Sequence, residues 1–258
     1  MMKTLNDQKA KQIFFKEGVT LNTSIIKING FNIHYAMTGD DTHPTLFFVH
    51  GSPDKWTRYE KFMQDKDLLA RYRMIAIDRP GFGHSEAGDA MDLEDQSRLI
   101  SSFVRTNQNG KRIYAIGHSY GGAVIVKLQA DNQLFDGLVL LAPSVDPQLE
   151  KPEKWRYIMN AFPLKYFLPA AYRASNKELV YQKKDLQKLD KKWDKITCPV
   201  WIIHGEKDSY VPLANTEYAK SKLTKARFVE VKTLPGADHF ITDERCEEVK
   251  EVLRKLPK

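Results

Sequence analysis

The stretch "RIYAIGHSYGGAVIVKL" (residues 112–128) sets a serine between two apolar runs. The first run, rich in Ile, Tyr and Ala, reads as a buried strand, and the second has helical apolar spacing. Ser119 lies between them, flanked by Gly117, Gly121 and Gly122. A strand that turns into a helix within one or two residues brings the chain close to itself, so side chains beside the turn must be absent. A serine at such a corner sits in a strained conformation at a helix N-terminus, where developing negative charge is favoured. In isolation, a serine in a glycine-rich turn is common and carries no chemistry. Its meaning depends on the rest of the chain.

Outward from this stretch, the chain alternates. Strand-like runs lie at 23–28, 31–37, 45–50, 73–78, 112–118, 137–142, 199–204 and 227–232. The first two are split by Asn29-Gly30, a hairpin signal. From residue 45 onward the runs are almost wholly apolar, as strands of a parallel sheet covered on both faces are. Helical spacing recurs at 54–70, 93–108, 121–130, 212–223 and 244–256. The expected fold class is α/β, with a mostly parallel sheet and helices on both faces. The alternation fails between 144 and 197, where aromatics, prolines and charges replace any buried strand. A helical insertion is expected there. Its aromatics either seat it on the domain or line a pocket under it.

The chain has 258 residues, 42% of them hydrophobic, and two cysteines outside any metal-binding spacing. These values suit a globular domain with a large core and give no sign of a disulfide framework or a zinc site. No metal and no cofactor is expected. No run approaches a membrane span, and the first residues lack the apolar region of a secretion signal. A cytoplasmic location is the expectation. Net charge is +7. Between Asp146 and Lys195 there are twelve Lys/Arg against seven Asp/Glu, an excess of five. Such an excess is either a solvated helical face or a means of steering an anionic substrate or docking to an anionic surface. Basic residues interleaved with aromatics in the manner of single-strand nucleic-acid binders are absent, so no nucleic-acid partner is expected. Mean hydropathy is −0.49 and no large apolar surface helix is evident, which disfavours a pure lipase.

Two later strand ends supply partners for Ser119. "WIIHGEKDSYVP" (201–212) places Asp208 in the loop after one strand, and "LPGADHFI" (234–241) places His239 after the last. A serine hydroxyl needs a base to take its proton, and that base needs an acid to fix its tautomer. Asp146, also just past a strand end, competes with Asp208 for the second role. His34 and His43 read as surface or edge residues, and His204 as a satisfied structural histidine. "FFVHGSPDKW" (47–56) ends a central strand in His50-Gly51-Ser52-Pro53. The N–H of Ser52 and that of Tyr120 are the expected donors to an oxyanion. "DRPGFGHS" (78–85) most simply shapes a loop beside the site. His118, Trp155, Phe162 and Phe240 are the expected substrate contacts. Arg156 and Arg173 are candidates for holding a carboxylate.

With "HGSP", "DRPGFGHS", "GHSYGG", "HGEKD" and "GADHF" in this order, the chain from about 23 to 258 resembles the α/β-hydrolase superfamily. It is most similar to the capped branch of esterases, C–C bond hydrolases, cofactor-free haloperoxidases and epoxide hydrolases. The resemblance implies an eight-stranded sheet formed by 23–143 and 198–258, a small helical cap at 144–197 and an arm or helix at 1–22. It implies a triad of Ser119, Asp208 and His239 with Ser52 and Tyr120 as oxyanion donors. Serine at the corner argues against the branches that use aspartate there, namely haloalkane dehalogenases and epoxide hydrolases. The expected reaction is hydrolysis of a small or medium acyl substrate, possibly anionic. C–C bond cleavage, perhydrolysis and a non-catalytic receptor on the same scaffold are the alternatives. The motifs leave the oligomeric state open.

Overall fold

The computed structural model describes residues 6–86, 91–150 and 154–257. Eight strands form one sheet in the order β1-β2-β4-β3-β5-β6-β7-β8. They are β1 (Asn22–Ile28), β2 (Phe31–Thr38), β3 (Thr45–Val49), β4 (Arg73–Ile77), β5 (Ile113–His118), β6 (Gly137–Leu141), β7 (Val200–Gly205) and β8 (Val229–Leu234). The pairs β1–β2 and β2–β4 are antiparallel, and the remaining pairs are parallel. The β1–β2 hairpin turns on Asn29 and Gly30, both at positive φ (49° and 91°), which the Asn-Gly pair adopts readily.

Strands β3 to β7 are buried along their whole length. Successive side chains point to opposite faces, so one strand feeds two cores. Phe47 and Val49 join a core with Leu99, Phe103 and Ile125. Leu46 and Phe48 join another with Phe14, Trp56 and Leu253. The helices that cover these faces are α1 (Asp7–Lys16), α2 (Leu93–Thr106), α3 (Tyr120–Asn132), α4 (Lys154–Asn160), α5 (Ala170–Leu189), α6 (Ala214–Lys222) and α7 (Cys246–Arg254). Helix α1 holds Ala10 and Phe14 in the core. Among the described residues no helix is long and apolar enough to cross a membrane.

Two local expectations are corrected. The stretch 54–70 is not one helix but three short turns, Trp56–Tyr59, Glu60–Met63 and Lys66–Leu69. Asp65 has extended backbone, and its carboxylate caps a new turn by accepting from the N–H of Leu68. His34 is not a surface residue. It is fully buried, with Nδ1 2.8 Å from Asp78 and Nε2 3.1 Å from Asp7 of α1.

Candidate active site

The parallel strands end on one side of the sheet, where their loops converge. Ser119 joins β5 to α3 with φ 54° and ψ −122°, a region that a residue with a side chain rarely occupies. Contacts on all sides hold it there. Its N–H donates to the Leu141 carbonyl at 2.9 Å, and its own carbonyl accepts from Gly122 and Ser144. A Cβ on Gly117 would lie 2.4 Å from the Gly121 carbonyl oxygen, and one on Gly121 would lie 2.2 Å from that of Val49. The serine side chain makes no capping bond to the helix that follows it.

Asp208 follows β7, and its side chain is fully buried. Its Oδ2 accepts from His239 Nδ1 at 2.7 Å, and its Oδ1 accepts from the N–H groups of Tyr210 and Val211 at 2.9 and 2.7 Å. Burial alone would push this carboxyl up. The donors His204, His239 and the Val211 N–H outweigh burial and hold it well below the usual carboxylate range. Asp146 sits elsewhere, accepting from the Gln148 N–H at 2.8 Å as a turn residue. Asp238 binds the N–H and hydroxyl of Ser209.

A cavity of about 600 Å³ opens between these loops and the segment after β6. Ser119, His239, Ser52 and Tyr120 all line it. Gly51 passes so close that an added Cβ would be 3.1 Å from Cβ of Ser119. Of the expected substrate contacts, His118, Trp155 and Phe240 reach the cavity wall. Phe162 does not. Its ring is exposed beyond the cavity and packs edge-on to Tyr166. Arg156 lines the cavity, whereas Arg173 lies over the Tyr166 ring outside it. Among the described residues no group of three His, Cys, Asp or Glu side chains is placed to ligate a metal.

A sequence model described as the alpha/beta hydrolase family matches residues 46–252. This chain belongs to that family. Epoxide hydrolase 1 of Caenorhabditis elegans is 30% identical to this chain over 102 residues, which are 38% of this chain and 24% of that protein. The protein YfhM of Bacillus subtilis, named as a member of the same superfamily, is 30% identical over 102 residues, 38% of this chain and 35% of its own. The lysophosphatidylserine lipase ABHD12 of Danio rerio is 23% identical over 186 residues, 69% of this chain and 47% of its own. The match thus spans about a quarter to a half of these relatives. Among solved structures, the 2-hydroxy-6-oxo-6-phenylhexa-2,4-dienoate hydrolase of a Rhodococcus strain superposes with a TM-score of 0.72 at 19% identity, covering 91% of this chain and 98% of its own. A bacterial membrane phospholipase A does so with a TM-score of 0.70 at 19% identity, covering 96% and 90%. At such identity the likeness shows the fold.

Three residues of this chain bear on the site in ways the motifs did not announce. His204 is buried at the end of β7, with Nδ1 2.7 Å from Thr216 Oγ1 and Nε2 3.1 Å from Asp208 Oδ2. Asp208 therefore faces two imidazoles. The spacing of four residues in "HGEKD" was the available signal. Arg79 is fully buried and donates to the carbonyls of His50 and Gly51 at 2.9 and 2.7 Å, fixing the loop that carries Ser52. Its charge is met by Glu178 of α5, bound through two nitrogens at 2.8 and 2.9 Å. Nothing local in the sequence links positions 79 and 178. His118, buried under the corner, has Nε2 3.0 Å from the His239 carbonyl. Burial, then the neighbouring His239, pushes it down to about 3, so it is neutral and donates this bond.

Proposed function

We propose that this alpha/beta hydrolase cleaves an ester-type acyl bond of a small or medium substrate, with Ser119 as nucleophile, His239 as base and Asp208 as orienting acid. The observation that carries the reading is the 2.7 Å bond from Asp208 to His239 in the cavity that Ser119 lines from a strained corner. Ser119 Oγ attacks the acyl carbon and gives its proton to His239 Nε2. Asp208 keeps the other ring proton on Nδ1 and stabilises the imidazolium. The N–H groups of Ser52 and Tyr120 receive the oxyanion, each contributing about 3 kcal/mol to the transition state. The leaving alkoxide takes the proton from His239. Water then loses a proton to His239 and attacks the acyl-enzyme, releasing the acid and restoring Ser119. Residue 119 is not a carboxylate, so covalent epoxide opening from this corner is not favoured.

In this reading residues 144–197 form a cap over a core of 23–143 and 198–258, and the partner is a small acyl compound. Arg156 in the cavity wall favours a second reading, C–C bond hydrolysis of a dienone acid by the same three residues. A panel of p-nitrophenyl esters and a dienone acid separates the two. Ester turnover that Ser119→Ala abolishes supports the first. Turnover of the dienone acid alone supports the second. Equal inactivity of wild type and Ser119→Ala on both overturns both.

A further inference from the structure

Between Lys154 and Lys177 there are five Lys or Arg and no Asp or Glu. The same segment carries the largest cluster of exposed apolar side chains among the described residues. Phe162 is 81% exposed, Phe167 78%, Ile158 61%, Tyr166 61% and Tyr157 53%. Helix α4 buries none of its residues. Two local groupings lie within this stretch. Phe162 and Tyr166 rings lie 6.1 Å apart, Arg173 stands over Tyr166 at 5.9 Å, and Arg156 stands over Trp155 at 4.6 Å. A patch of this kind on a soluble fold is an interaction surface.

We propose that the face formed by residues 154–177 docks peripherally on an anionic phospholipid surface. The composition selects this occupant. Phe and Ile insert among acyl chains, Tyr and Trp suit the headgroup boundary, and Lys and Arg pair with anionic lipids. A second copy of the chain is the poorer fit. Two-fold pairing would set the same five cations against one another. Trp155, Arg156 and Tyr172 belong both to this segment and to the cavity wall, so the docked face and the cavity share a rim. That acyl lipids enter there rests on the ester-hydrolase reading. The docking itself does not.

The test is co-sedimentation of the full chain with vesicles of phosphatidylcholine alone and of phosphatidylcholine with phosphatidylglycerol. Binding needs no turnover, so a chain inactive on esters still answers the question. Partition about tenfold stronger on the anionic vesicles is expected, weakened by salt. Ile158→Ser with Phe167→Ser, both outside the cavity lining, lowers it about tenfold with the melting temperature unchanged. Should that double variant unfold, Phe162→Ser alone carries the same expectation. Equal partition on both vesicle types, or anionic binding that these substitutions leave intact, overturns the proposal. So does a dimer in solution, dissolved by the substitutions, in a chain that ignores vesicles.

Discussion

The loops at the strand ends and the segment 154–177 treat water in opposite ways. At the strand ends, charged groups are buried and paired. Arg79 meets Glu178 and two carbonyls, and Asp208 meets two imidazoles and two N–H groups. In 154–177, apolar rings stand in solvent beside cations. The first arrangement fixes atoms, because a buried charge that loses its partner is costly. The second suits a surface that meets something else. In the readings proposed above, chemistry falls to the first region and encounter to the second.

The division predicts large effects at the strand ends. Ser119→Ala lowers kcat/KM for an ester substrate by roughly 10⁶-fold in steady-state assays. Asp208→Asn lowers it by roughly 10⁴-fold, since the amide no longer fixes the imidazole tautomer. Glu178→Leu leaves the Arg79 guanidinium buried and uncompensated. Denaturant titration then shows a loss of roughly 3–5 kcal/mol, much of it recovered when Arg79→Met is added. Full loss in the double variant would show that the pair does not act as a unit.

Smaller effects probe the histidines. His204→Leu removes one of the groups that face Asp208. It lowers kcat/KM by about tenfold, with the thermal midpoint and the pH profile recorded alongside. A change in melting alone would make His204 purely structural. His118 titrates near 6.5 when unfolded but only at about 3 when folded. Between these values the unfolded chain binds the extra proton, so stability is full above about pH 6.5 and falls as pH drops toward 3. The loss approaches about 1.4 kcal/mol per pH unit in that window. His50, also pushed down by burial and then by Arg79, acts in the same direction. His118→Gln flattens its share of the slope in urea titrations between neutral pH and about pH 5.

Much of the strand-end architecture was legible because its signals are local. Apolar runs mark the strands, glycines mark the corner at Ser119, and Asp208 and His239 each follow a strand. What escaped was either distant or conditional. Arg79 and Glu178 lie 99 positions apart, and only the fold brings them together. A histidine at a strand end reads as structural, and the bond of His204 to Asp208 forms only when the loop 205–208 is folded back. The break in 54–70 depends on one side chain, Asp65, capping a turn inside an otherwise helical pattern. Phe162 followed helical spacing toward a pocket. Yet the segment that carries it packs little against the core, so spacing alone gave no inward direction.

The central claim is that Ser119 is activated by His239 and Asp208. Mass spectrometry of the chain and of its peptides after exposure to a fluorophosphonate tests it most directly. A single adduct on the Ser119 peptide, absent in Ser119→Ala and formed about a hundredfold more slowly in His239→Ala, is the predicted result. An unmodified wild-type chain, or an adduct that persists in Ser119→Ala, would contradict it.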